Sequence, residues 1–186
     1  PMRFGILAGV AALALAASSL PVSAQPNDGE RKQAHEIYRT IVEMDTSIEG
    51  GRTPEMAKYL AERFRDGGFE AKDVHLIPVD KTAALVVRYR GDGSGGKPIL
   101  FLAHMDVVPA HRADWERDPF KLVEENGYFF GRGSEDNKSG VALLTTTFLA
   151  LKAEKFVPTR DLVIVFTGDE ETSGVSAKTL LRDHRA

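Results

Sequence analysis

Residues 99–109, ILFLAHMDVVP, decide how the rest of the chain is read. An apolar run breaks off at His104, and Asp106 follows two positions later. A run so continuously apolar predicts a strand covered on both faces, the mark of a parallel sheet. In open sheets of that kind, reactive groups collect beyond the carboxyl ends of the strands. A second run, DLVIVF at 161–166, ends in the same way, in Asp169-Glu170-Glu171. Two parallel strands would deliver both polar sets to one edge of the sheet.

Outward from these runs, the periodicity predicts a helix over about 30–44, with Ala34, Ile37, Tyr38, Ile41 and Val42 on one face. A second helix is predicted from Thr53 as N-cap and Pro54 as first helical residue. It turns Met56, Ala57, Leu60, Ala61 and Phe64 inward and stops at Gly67-Gly68. VHLIPV (74–79) and AALVVRYR (83–90) read as neighbouring strands, and GDGSGG (91–96) as a turn. Residues 120–123 and 128–130 flank ENG as a hairpin. Helices are expected over about 139–155 and from about Ser173 onward. Strands alternating with helices predict an α/β fold, a three-layer sandwich with a largely parallel central sheet.

The 186 residues suffice for one domain, and a net charge of -3 gives no electrostatic case for nucleic acid. There is no cysteine, so no disulfide framework, and any metal site must use imidazole and carboxylate. Arg3, the apolar run 4–17 and Val22-Ser23-Ala24 have the layout of a secretory signal cleaved after Ala24. The run is shorter than the roughly 20 residues of a spanning helix. The expectations are therefore a signal peptide over 1–24, no stable membrane span after its removal, and a secreted or periplasmic location. Pro1 ahead of Met2, and the helical SAKTLLRDHRA at the other end, read as a piece of a longer gene product.

Several residues carry metal-capable chemistry. In extended chain, His104 and Asp106 point to the same side, where a carboxylate can fix the imidazole tautomer. The alternative is a core histidine beside a turn aspartate. Glu170 and Glu171 repel each other unless a cation lies between them or they diverge. Their alternative is a solvated acidic turn. Asp136, in GRGSEDNKSG, is a ligand or a turn residue ahead of a helix, and Gly131 and Gly133 let that loop turn tightly. Glu135 reads better as a solvated carboxylate. A Walker A loop is excluded, because Asn137 stands where glycine must precede Lys138. No G-x-S-x-G elbow is present either. His111 reads as a loop residue, His35 as helix-face, His75 as strand and His184 as solvated. Trp115 and Phe120 read as packing their loop over the sheet.

Four blocks in order, HMDVVPA, WERDPF, GRGSEDNKSG and GDEETSG, resemble the co-catalytic zinc peptidase and amidohydrolase family, metallopeptidase family 20. That family includes acetylornithine deacetylase, succinyl-diaminopimelate desuccinylase, aminoacylases and glutamate carboxypeptidase. The resemblance spans roughly residues 30–186. It implies two zinc ions per complete site, with cobalt or manganese as alternatives. His104 would bind one ion, Asp136 would bridge both and Glu171 would bind the other. Asp106 would support His104, Glu170 would be the general base, and the Asp136–Asn137 peptide would be cis. The expected activity is hydrolysis of an amide bond in a small peptide or N-acyl amino acid, as exopeptidase, carboxypeptidase, dipeptidase or deacylase.

By the same resemblance, two more ligands, a lid or dimerisation domain and the remaining sheet would lie past residue 186. Residues 25–186 would then be the N-terminal part of a catalytic domain, inactive alone, from a parent that can be a homodimer. The alternatives are a noncatalytic binding module and an inert truncation product of the same fold.

Overall fold

A computed structural model describes residues 25–183. The signal-peptide reading and His184 lie outside the described residues. The elements run α1 (Asp28–Val42), α2 (Thr53–Asp66), β1 (Val74–Val79), β2 (Thr82–Tyr89), β3 (Ile99–His104), β4 (Val123–Glu125), β5 (Tyr128–Phe130), α3 (Lys138–Ala153), β6 (Leu162–Thr167) and α4 (Val175–Asp183).

Helix α1 starts at a capping box, in which Asn27 and Glu30 exchange side-chain and backbone hydrogen bonds. Helix α2 differs from expectation at its start. Arg52, not Thr53, is the N-cap residue, and Thr53 is the first helical residue. The Thr53 hydroxyl is buried and donates to the Thr46 carbonyl at 3.2 Å, so it is spent on the preceding loop rather than on a cap. The face predicted to turn inward does so: Met56, Ala57, Leu60, Ala61 and Phe64 are all fully buried. The β4–β5 hairpin turns at Asn126 and Gly127, both at positive φ, as a two-residue hairpin loop of this kind requires.

The main sheet has the order β1-β2-β6-β3. The α/β class is as expected, but the four described strands form a mixed sheet: β1–β2 and β2–β6 are antiparallel, and only β3–β6 is parallel. Connection length explains the first departure. Asp80 and Lys81 alone join β1 to β2, and a two-residue link can only close an antiparallel pair. Helix α3 lies in the connection from β3 to β6, as a parallel crossover requires.

Helices α1, α2 and α3 share one apolar cluster with Ala83, Leu85, Val87 and Tyr89 of β2 and with Ile164 and Phe166 of β6. Helix α4 packs against β1 and β2 and adds nothing to that cluster. Ala84, which alternation sends to the other face, is also fully buried. Among the described residues, the third layer is therefore one short helix over β1 and β2. Strand β3 departs from its reading as covered on both faces. Leu100 and Leu102 are 61% and 65% exposed. Among the described residues, β3 is an edge strand and no helix lies over that face of it.

Candidate metal centre

The single parallel pairing creates the site. Its register sets His104 beside Thr167, and the Met105 amide extends the ladder by donating to the Thr167 carbonyl at 2.8 Å. Both chains therefore leave the sheet at the same rim. His104-Met105-Asp106 follows one strand and Gly168-Asp169-Glu170-Glu171 follows the other. The loop before α3 supplies Asp136 to the same place. His104, Asp136 and Glu171 each offer one ligand atom, all within 4.8 Å of one another.

His104 is nearly buried. Its Nε2 lies 2.9 Å from Asp136 Oδ1 and 3.9 Å from Glu170 Oε2. Its Nδ1 lies 3.1 Å from the Asp106 backbone oxygen and 3.5 Å from Asp106 Oδ1. Nδ1–H is thus held by Asp106, chiefly through its carbonyl, and Nε2 faces the acidic cluster. Burial alone would disfavour charge on this ring. The hydrogen bonds and field of Asp106, with help from Asp136, outweigh it and push His104 up to about 9.

The Asp106 carboxylate does more than face His104. Oδ1 accepts the Glu170 amide at 3.0 Å and Oδ2 accepts the Glu171 amide at 2.9 Å. One buried carboxylate therefore fixes the loop that carries both glutamates. Partial burial and the neighbouring Asp136 raise the Glu171 pKa. A cation among these groups would relieve their repulsion, and imidazole with carboxylates is a donor set that suits zinc. Glu170 is 60% exposed in its side chain, beside the cluster and open to solvent.

Local sequence explains the Asp136 loop. Gly133 has φ +76°, and a Cβ there would come 2.6 Å from Val107 Cγ1. Gly131 is needed for close approach, since its Cβ would lie 2.8 Å from Val42 Cγ1. The Asp136–Asn137 peptide is cis.

The remaining candidates sit elsewhere. The His111 side chain is exposed and 4.0 Å from Glu49. His35 meets Glu124 at 3.3 Å. Glu135 is exposed, and the Trp115 ring stacks under the Arg132 guanidinium. The roles of two residues were missed by sequence reasoning. Asp169 is turned away from the cluster and caps α4, accepting from the Val175 and Ser176 amides and from the Ser173 and Ser176 hydroxyls. Lys138 is fully buried, with Nζ 2.6 Å from the Met44 carbonyl. A lysine directly after an acidic loop carries no sequence mark of burial.

Residues 100–186 match the family model described as Peptidase family M20/M25/M40. Acetylornithine deacetylase of Dictyostelium discoideum is 36% identical over 115 residues, 59% of this chain and 26% of that protein. A probable succinyl-diaminopimelate desuccinylase of Staphylococcus aureus is 32% identical over 151 residues, 80% of this chain and 36% of that protein. The chain thus spans well under half the length of these curated relatives. A solved structure of the dipeptidase Dug1p from Saccharomyces cerevisiae shares the fold, with TM-score 0.70 and 23% identity over 83% of this chain and 35% of that one. The ordered motifs and the family model matched over residues 100–186 make this chain similar to peptidase family M20/M25/M40.

Proposed function

We propose that the protein is a metal-dependent hydrolase that cleaves an amide bond in small peptides or N-acyl amino acids. The observation that carries this reading is the meeting of His104, at the end of β3, with Asp136 and Glu171 from two separate loops, within 4.8 Å. These residues would hold divalent metal, zinc by donor type. When bound, such ions lower the pKa of water towards about 7 and polarise a carbonyl.

The protein's own groups have distinct tasks. Glu170, exposed at the edge of the cluster, takes the proton of the attacking water and returns it to the departing amine. Asp106 fixes the His104 ring through Nδ1 and holds the two glutamate amides, so both sides of the site share one anchor. Asp136 draws on His104 Nε2 from the side opposite Asp106. Relatives named as a deacetylase and a desuccinylase support an amide substrate. We also read residues 1–24 as an export signal, which N-terminal sequencing of the mature protein would check. No helix among the described residues is long and apolar enough to cross a membrane.

The test is Glu170→Gln in the full-length protein, with N-acyl amino acids and dipeptides as substrates. The expected result is a fall in turnover of at least about 100-fold, the lower range for general-base loss, with bound metal unchanged. Unchanged turnover would contradict the role of Glu170. A wild-type protein that hydrolyses none of these substrates in the presence of zinc would contradict the hydrolase reading.

A further inference from the structure

The segment that leaves α1 is bonded to two of the site's loops without supplying a ligand. Lys138, two residues after Asp136, sends its side chain inward, and none of it is exposed. Its stem passes under Gly133, where a Cβ would lie 3.2 Å from Lys138 Cδ. Its Nζ donates to the Met44 carbonyl at 2.6 Å and reaches the Val42 carbonyl at 3.5 Å. These carbonyls stand at the end of α1, where the helix dipole favours a cationic donor. Two residues on, the buried Thr46 hydroxyl donates at 2.8 Å to the carbonyl of Met105, the residue between His104 and Asp106.

Two further ties complete the connection. Tyr38 of α1 donates to the Ser134 carbonyl at 2.6 Å, which holds the other end of the Asp136 loop. Thr53 donates to the Thr46 carbonyl and packs on Gly168, whose added Cβ would lie 2.8 Å from Thr53 Cγ2. A continuous line thus runs from the Asp136 loop through Lys138, Met44, Thr46 and Met105 to His104.

We propose that the exit of α1, residues 42–46, is the frame that spaces the ligand-bearing loops, with Lys138 and Thr46 as positioning residues for Asp136 and His104. The proposal rests on the reading that these side chains hold metal. Ligand sites demand placement to about 0.5 Å by residues that are themselves locked. Loss of such supporting contacts typically weakens metal binding about 10- to 100-fold. A role in stability alone would lower the melting temperature and leave the metal affinity of the folded protein unchanged.

The experiment compares Lys138→Met, Thr46→Val and Thr46→Ser in the full chain by zinc titration against a chromogenic chelator, and by amide hydrogen exchange without zinc. Lys138→Met and Thr46→Val are expected to weaken zinc binding about 10- to 100-fold, and Thr46→Ser, which keeps the hydroxyl, to restore it to within about threefold. In the zinc-free protein, exchange should quicken over residues 104–108 and 131–137 and stay unchanged over α2 and β2. Folded variants that bind zinc as the wild type does would overturn the frame. If Lys138→Met does not melt cooperatively, the two Thr46 variants decide. If the wild type takes up no zinc, the metal reading fails, and unchanged exchange in both loops would overturn the frame separately.

Discussion

At the residue scale, His104 and Lys138 set opposite proton demands within one small volume. His104 is raised to about 9 against an ordinary 6.5, because its carboxylate neighbours outweigh burial. A raised base stabilises the fold below its unfolded value and loses that contribution as pH climbs through about 9. Lys138 is lowered by burial to about 7 from 10.5, despite the field of Asp45. Between those values the unfolded chain binds the extra proton, so this group makes stability rise with pH. From about 7 to about 9 the two slopes oppose each other. Urea unfolding with a chelator present should therefore show a nearly flat midpoint across that window. Lys138→Met should convert the flat profile into a fall, and His104→Gln into a rise. Profiles parallel to wild type in both variants would contradict the assignment.

At the element scale, the Asp169 side chain ties the start of helix α4 to the loop that carries Glu170 and Glu171. Burial would raise the pKa of Asp169, but the hydrogen bonds of Ser173, Ser176 and Val175 outweigh it and hold the carboxyl below the usual range. Asp169→Ala should cost about 0.5–2 kcal/mol, the range for a lost helix cap, read as a lower Tm. An unchanged Tm would show that α4 needs no such anchor. This element also shows what the sequence could and could not reveal. The loop TGDEETSG is legible as acidic and strand-terminal. Nothing in three successive acids says that the first turns back to cap α4 while the third joins His104. That choice depends on the hydroxyls of Ser173 and Ser176 at the start of α4, and nothing in the sequence pairs either with Asp169 rather than with solvent. The inward faces of α1 and α2 were legible because periodicity carries them. The use of Thr53 was not, since its partner, the Thr46 carbonyl, belongs to an irregular loop.

At the scale of the whole molecule, one parallel pairing inside a mixed sheet brings the chemistry together. Apolar strands ending in His104 and Asp169 were enough to predict a shared rim. Strand direction elsewhere was not legible, because a buried antiparallel strand such as β2 is as apolar as a parallel one. The exposure of β3 was hidden for a related reason: an apolar run says that a face needs cover, not which segment covers it. The uneven layers imply uneven sensitivity. Phe166→Ala, in the fully buried cluster, should cost about 3–5 kcal/mol in urea unfolding. Leu102→Asp, at a position 65% exposed, should stay within about 0.5 kcal/mol. Equal costs at both positions would mean that the β3 face is covered in solution.

The central claim is that the end of β3 and two loops build one metal centre, and diffraction at the zinc edge from crystals grown with zinc tests it most directly. An anomalous peak about 2.0–2.2 Å from His104 Nε2 and from carboxylate oxygens of Asp136 or Glu171 is the predicted result. Zinc bound elsewhere, with these three side chains free of it, would contradict the account.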